Sequence, residues 1–189
     1  MRASLQARTL LSTLLSTPRT AQARTTLEAL RDANIKIWML TGDKLETAMA
    51  IARNASLVPR RQPFYPVRVR CAAEVRQQLQ GYPKGVLNAP CLLLDGASLE
   101  CCVTHQHKLF MEVACAAPTV ICCRCTPAQK AEVVRLIRNH TRLITAAVGD
   151  GGNDVPMIQA AHLTLTLTLT LTLTLTLTLT LTLTLTTCR

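Results

Sequence analysis

Aromatic side chains are scarce in this chain: one tryptophan, two tyrosines and two phenylalanines make up 3% of the 189 residues. So few rings exclude a stacking platform of the kind that holds single-stranded nucleic acid. Acid is also short, with 11 Asp and Glu against 21 Lys and Arg, for a net charge of +10. Such a balance suggests nucleic acid or an anionic membrane surface as generic partners. The basic residues are spread rather than blocked, however, so phosphate chemistry or solubility accounts for them equally well, and no nucleic-acid partner is expected. Nine cysteines are present, but not in the spaced CxxC…CxxC or CxxC…HxxxH pattern of zinc sites. Cys101-Cys102, Cys115, Cys122-Cys123 and Cys125 sit in apolar company, the pattern of buried free thiols in a reducing compartment. His105 and His107 nearby leave a metal cluster as the less favoured alternative. Residues 1–24 lack acid altogether and carry four arginines among Ser, Thr and Leu. A mitochondrial transit peptide has that composition, but a leader that forms no structure is the preferred reading. The apolar core of a secretory signal is missing, because Ser and Thr interrupt Leu10, Leu11, Leu14 and Leu15.

What the chain does have is concentrated in Ala146-Ala147-Val148-Gly149-Asp150-Gly151-Gly152-Asn153-Asp154-Val155-Pro156-Met157-Ile158. An apolar run from Leu143 to Val148 stops at two carboxylates separated by glycines, and a helical pattern follows. Glycine permits tight turns and bare backbone, so a buried strand ends here in a loop that approaches a ligand closely. Asp150 and Asp154 are hard oxygen donors suited to Mg²⁺, with phosphate and water completing its shell. A plain helix cap by Asn153 or Asp154 is the structural alternative, and it requires fewer special residues than are present.

A second loop of this kind lies upstream. Leu27, Leu30 and Ala33 recur at helical spacing, then Ile35–Leu40 reads as a buried strand. It empties into Thr41-Gly42-Asp43, after which Leu45, Ala48, Met49 and Ala52 restore the helical period. Hydroxyl, bare backbone and a helix N-terminus meet there, a cradle for phosphate. Residues 58–90 hold five of the nine prolines and are expected to form a surface insertion with one helix, Ala72 to Gln80. Cys91 to Asp95 is read as a strand and turn, Leu99 to Ala116 as a helix, and Thr119 to Cys123 as another strand. Thr126-Pro127-Ala128-Gln129 is a helix start, with a Thr cap, Pro at the first helical position and Gln at the third. Lys130 on that helix, and Arg124 before it, are either solvated cations or phosphate partners.

Three of these stretches carry a family resemblance. Gly149-Asp150-Gly151-Gly152-Asn153-Asp154 followed by Met157 resembles the hinge motif of P-type ATPases, which belong to the haloacid-dehalogenase-like superfamily. Ile35-Lys36-Ile37-Trp38-Met39-Leu40-Thr41-Gly42-Asp43-Lys44-Leu45-Glu46-Thr47-Ala48 resembles the lipid-flippase class almost residue for residue. Cys122-Cys123-Arg124, with Pro127, Gln129-Lys130-Ala131 and Val133-Val134, is similar to the flippase run that brings an arginine and a lysine to the phosphate site. The resemblance spans roughly residues 26–161. It implies a partial phosphorylation domain over residues 25–162, with a Rossmann-like α/β fold built on a parallel sheet. It further implies that Thr41, Gly42, Asp43, Arg124, Lys130, Asn153 and Asp154 surround the phosphates of ATP, while Asp150 and Asp154 hold Mg²⁺. The chemistry would be phosphoryl transfer by positioning and charge neutralisation, with Lys130 offsetting charge on the transferred group. The intact family moves phospholipid between membrane leaflets, with this domain on the cytoplasmic side.

The resemblance also sets what is missing. The family's phosphorylated aspartate lies in Asp-Lys-Thr-Gly-Thr, a motif not found in these residues; the nucleotide-base-binding domain, actuator domain and membrane helices are absent as well. A fragment inactive alone for want of its nucleophile is therefore expected. A stand-alone phosphatase of the superfamily would need Asp-x-Asp or Asp-x-Thr after an apolar strand. A non-enzymatic basic protein retaining the fold would bind nucleic acid in a salt-dependent way. In the superfamily the nucleophile's strand lies mid-sheet, between those leading to Thr41 and Gly149, so an incomplete sheet is expected here. Each unpaired buried backbone group costs about 1–3 kcal/mol, against a domain stability of about 5–15 kcal/mol. Marginal stability and self-association through strand edges follow. Residues 163–189 are twelve Leu-Thr pairs and a short end. The repeat could span a bilayer as a helix by length, yet half of it is Thr, so its hydropathy is marginal. Leu falls on one face of a strand and Thr on the other, but nothing marks where an element begins or stops. The expectation is a featureless extension with few core contacts, available for self-association.

Overall fold

The computed structural model describes residues 19–166, 169–170, 176–177 and 184–187. Most of the leader thus lies outside the described residues, as do parts of the repeat. Residues 19–24 are helix rather than unstructured leader. α1 (Arg19–Asp32) starts directly after Pro18, well upstream of Thr26. Ala21, Gln22, Ala23 and Arg24 are favourable helix formers with no breaker among them. Arg24 also pairs with Glu28 one turn on, at 3.0 Å.

β1 (Ile35–Leu40) and α2 (Leu45–Asn54) follow. The proline-rich stretch supplies β2 (Phe64–Val67) and α3 (Ala72–Gln80), and Val67, Val69, Val75, Leu79 and Tyr82 from it are buried in the larger core. Then come β3 (Cys91–Asp95), α4 (Gly96–Ala116), β4 (Thr119–Cys123), α5 (Pro127–Thr141) and β5 (Thr145–Gly149). Asp95 caps α4 through a bond from the Ser98 N–H at 2.7 Å, so strand passes to helix with no intervening turn. Non-helical angles at Gln106 kink α4 midway. A 3₁₀ turn (Gly152–Asp154), α6 (Val155–Ala160) and the short strands β6 (Leu163–Thr166), β7 (Leu169–Thr170), β8 (Thr176–Leu177) and β9 (Thr184–Thr187) complete the described chain.

Seven strands form one sheet in the order β2-β3-β4-β1-β9-β5-β6. β2, β3, β4 and β1 pair in parallel, as do β5 and β6. All five residues of β4 and of β5 are buried, as expected of strands covered on both faces. Leu27 and Leu30 of α1, with Ala48 and Ala52 of α2, pack over one face; α3, α4, α5 and α6 cover the other. The fold is α/β and Rossmann-like.

The gap expected in mid-sheet is filled, and by an unexpected segment. β9, the end of the Leu-Thr repeat, lies antiparallel between β1 and β5, with Ile37 opposite Leu185 and Ala146 opposite Leu185 on the other side. The repeat is therefore not a featureless extension: β6 extends the sheet, β9 completes its interior, and β7 pairs with β8. The reason is backbone accounting. β1 and β5 each offer a row of buried N–H and C=O groups, and leaving them unpaired outweighs the lack of any register marker in the repeat.

Candidate functional site

β1, β3 and β4 run the same way, and β5 shares their direction because β9 is antiparallel to β1 and β5 alike. Their following loops open on one edge, where open α/β sheets bind ligands. The first loop is closed on itself. Thr41 Oγ1 accepts the Asp43 N–H at 3.1 Å and donates to Asp43 Oδ2 at 3.0 Å. It is also tied to the exit of β4: the Cys125 N–H donates to the Thr41 carbonyl and the Arg124 N–H to the Asp43 carbonyl, each at 2.9 Å. Arg124 makes this turn in the left-handed region, at φ 51°. Its carbonyl lies so close to Gly96 that a Cβ there would sit 2.5 Å away.

α5 starts as its residues dictate. Thr126 and Gln129 form a reciprocal capping box behind Pro127, at 3.2 and 3.0 Å, and Gln129 Nε2 donates to the Gly96 carbonyl at 3.0 Å. This anchoring aims Lys130 inward. Its Nζ donates to Asp154 Oδ1 at 2.7 Å, with the two side chains 9% and 8% exposed. Asp154 Oδ2 accepts the Asp150 N–H at 3.2 Å. Asp154 holds the N-cap position of α6 but makes no capping bond, so the plain-cap alternative fails for this residue. Gly149 is demanded by the same arrangement, since a Cβ there would meet the Asp154 Cβ at 2.3 Å.

The candidate residues thus divide by depth. Gly42, Asp43, Arg124, Asp150 and Asn153 are exposed, Thr41 is half-buried, and Lys130 and Asp154 lie beneath. α5 joins the two halves: Arg124 precedes it beside the Thr41 loop, and Lys130 reaches from it to the Asp150–Asp154 loop. β9 intervenes, setting the ends of β1 and β5 two strand spacings apart, about 10 Å. Among the described residues no three His, Cys, Asp or Glu side chains form a metal cage. Mg²⁺ needs only one or two carboxylates when phosphate and water complete its shell. Asp150 presents an exposed carboxylate suited to that role, whereas both Asp154 oxygens already have protein partners.

The thiols beside this site are free. Cys125 is lowered, first by its hydrogen bond with Cys122 and then by Lys130, against its burial. That bond and burial raise Cys122 well above the ordinary thiol value. Away from the site, burial pushes Cys91, at the opposite end of β3, and Cys102 up to about 12.

Sequence reasoning missed Arg68, Arg70 and the charge environment of Asp95. With Cys123 and Arg124 they line a cavity of ≈ 210 Å³ at the ends of β2, β3 and β4. Arg70 Nη2 stands 3.5 Å from Asp95 Oδ2. Burial alone would raise the Asp95 carboxyl, but hydrogen bonds from the Ser98 N–H and hydroxyl, with Arg70 and Arg124, outweigh it and hold the group below its ordinary value. The alternation Arg68-Val69-Arg70 was the available signal, but within a proline-rich stretch it had no recognised strand to extend.

Glycine-bearing loops opening on one edge of a Rossmann-like sheet, one of them above a buried lysine–carboxylate pair, define an α/β domain of the haloacid-dehalogenase-like kind. Known proteins narrow the class. The chain is 51% identical over 144 residues to the probable phospholipid-transporting ATPase IIB of Danio rerio, a stretch that covers 75% of this chain and 12% of that protein. It is 44% identical over 143 residues to the probable phospholipid-transporting ATPase tat-5 of Caenorhabditis elegans, 75% of this chain and 13% of that one. With the phospholipid-transporting ATPase NEO1 of Saccharomyces cerevisiae it shares 46% over 138 residues, 73% and 12% respectively. No family model matches the chain. Over the stretch they share, the chain is similar to phospholipid-transporting ATPases, and it spans about an eighth of the length of these relatives. No helix among the described residues is long and apolar enough to cross a membrane.

Proposed function

We propose that residues 25–162 serve as part of the phosphorylation domain of a phospholipid-transporting P-type ATPase, binding Mg²⁺ and the phosphates of ATP at the C-terminal edge of the sheet. The observation that carries this reading is the hydrogen-bonded union of the Thr41–Asp43 loop with Arg124, completed through α5 by the buried Lys130–Asp154 pair. Thr41, Gly42 and Asp43 offer a hydroxyl and open backbone to phosphate oxygens. Arg124 and Asn153 add a guanidinium and an amide from either side. Asp154 fixes the position of Lys130, whose charge faces the phosphates. Asp150, with Asp154 beside it, holds Mg²⁺, which when bound neutralises and orients phosphate oxygens. β9 carries no carboxylate, so the strand between β1 and β5 supplies no aspartate for an acyl phosphate, and the proposed site binds phosphate rather than accepting it. Lipid movement itself belongs to a longer polypeptide of this family.

Thermal unfolding with and without Mg²⁺ and ATP tests the reading. A ligand that binds the folded state alone raises its midpoint. The rise is expected in the full chain, with its Mg²⁺-dependent part lost in Asp150→Asn. Labelled ATP should leave no acid-stable phosphoprotein. An unmoved midpoint at every Mg²⁺ and ATP concentration would overturn the binding site, and a hydroxylamine-cleavable labelled band would overturn the inactivity.

A further inference from the structure

The ladder of β2 with β3 ends at Val67, yet the next three residues are held in place by side chains. The Arg68 N–H donates to Gln78 Oε1 at 2.9 Å, and its carbonyl accepts Gln78 Nε2 at 3.0 Å. The Val69 N–H donates to the Ser98 hydroxyl at 3.1 Å, which donates back to the Val69 carbonyl at 3.4 Å. The Arg70 N–H donates to Glu74 Oε2 at 2.8 Å. The strand alternation therefore continues past the ladder. Val67 and Val69 are buried, whereas Pro66, Arg68 and Arg70 are exposed. Three polar side chains thus fix the backbone from which two arginines project. Ordering a backbone costs conformational entropy, and two merely solvated arginines would not need it.

Both arginines line the cavity of ≈ 210 Å³. Leu93 and Cys123 line it from β3 and β4, Leu45 and Glu46 from the first turn of α2, and Asp95 and Arg124 from the strand ends. Arg70 and Arg124 both act on the Asp95 carboxylate, so the two cations converge there. Neither is used up by it. Arg70 Nη2 is 3.5 Å from Asp95 Oδ2, and the Arg70 side chain is 70% exposed, a pair of little strength. The guanidiniums of Arg68 and Arg124 close no ion pair among the described residues. Glu46 and Asp95 oppose the three arginines and leave the lining with one positive charge in excess. Asp95 Oδ1 is already occupied by the Ser98 N–H at 2.7 Å. Pockets for drug-sized ligands measure about 300–1,000 Å³, so this smaller space suits an anionic group of a few atoms. The fork of a guanidinium matches the oxygens of phosphate two at a time.

We propose that this cavity binds a phosphate group, free or on a small ester, held by Arg68 and Arg70 beyond β2 and by Arg124 beyond β4. It is a second anion subsite. The phosphates of ATP are assigned above to the Thr41 loop, Arg124, Lys130 and the Asp150–Asp154 loop, and only Arg124 is common to both. The subsite needs no Mg²⁺, because guanidinium donors alone face the ligand.

Orthophosphate binding to the full chain tests this by calorimetry in EDTA, at an ionic strength held constant so that screening does not vary. Two double variants of equal charge are compared with the parent. Arg68→Gln with Arg70→Gln empties the cavity of two donors. Arg60→Gln with Arg61→Gln removes two exposed arginines outside it. Affinity is expected to fall about ten-fold or more in the first pair, as for lost bonds to a charged group, and to stay at the parental value in the second. Glycerol 3-phosphate in place of orthophosphate distinguishes the sources. A loss confined to orthophosphate assigns the cavity to free phosphate, a loss with both probes extends it to an ester, and either supports the subsite. A second measurement needs no variant: bound phosphate should slow modification of Arg68 and Arg70 by phenylglyoxal, and leave Arg60 and Arg61 as reactive as before. Absence of saturable binding, equal affinity in the two double variants, or no protection of Arg68 and Arg70 would each overturn the proposal. The Mg²⁺-dependent rise in unfolding midpoint with ATP is read on Asp150→Asn, so the two sites fail or stand separately.

Discussion

Lys130 and Asp154 are the residues on which the site depends most. Each removes the other's uncompensated charge from the interior, and breaking such a buried pair by truncating one partner costs about 3–5 kcal/mol. Lys130→Met keeps most of the stem's volume and removes only the charge. We expect a loss of that size in urea unfolding; a loss below about 1 kcal/mol would mean that water reaches Asp154 as at a surface pair. The glycines next to Asp154 differ in the same respect. Gly149→Ala would press its Cβ against the Asp154 side chain at 2.3 Å, and overpacking of this kind costs about 1–3 kcal/mol. Gly152→Ala meets nothing within 4 Å, and a change of no more than about 0.5 kcal/mol is expected. Equal losses in the two variants would show that backbone freedom, not the approach of Asp154, is what the loop requires.

At the scale of elements, α4 and α5 start from side chains that also border the site. α5 begins with the Thr126–Gln129 box and so sets where Lys130 stands. α4 begins at Asp95, whose carboxylate is held below its ordinary pKa by the bonds from Ser98 with Arg70 and Arg124, which prevail over burial. A group whose folded pKa is lowered contributes stability above its unfolded value, near 3.9 for Asp, and loses it as pH falls through the folded value. Asp95→Ala should therefore cost about 1 kcal/mol at neutral pH, the usual value of an N-cap. Asp95→Asn should keep the cap at neutral pH but flatten the acid side of the stability profile. An unaltered acid limb in Asp95→Asn would place the titrating group elsewhere.

For the whole molecule, the two ends of the sheet differ. β2 closes one end with Pro66 in its middle, a residue that blunts an edge because it donates no hydrogen bond. β6 closes the other with an uncharged, proline-free run of Leu and Thr, and Leu163 is 54% exposed. Self-association through that edge is expected to rise with protein concentration, opposed by the net charge of +10. Thr164→Lys with Thr166→Lys, which places charge on the edge, should shift the sedimentation profile toward monomer. A parent that stays monomeric at all concentrations would show the edge to be covered.

The sequence alone determined the parts whose causes are local. Ile35–Leu40, Cys91–Asp95 and Thr119–Cys123 are legible as strands because each is a largely apolar run with glycine, aspartate or proline close to one or both of its ends. The start of α5 is legible because its cap, proline and glutamine lie within four residues. That Thr41, Arg124 and Asp150 lie near the same edge follows once their strands run parallel. Tertiary structure decided what depends on distant partners. Asp154 could be read as a cap or a ligand until Lys130, on another helix, took one of its oxygens. The interior strand was not legible at all. An alternating repeat specifies two faces but no position along itself, so only the unpaired backbones of β1 and β5 made a central strand of what the residues describe as a tail.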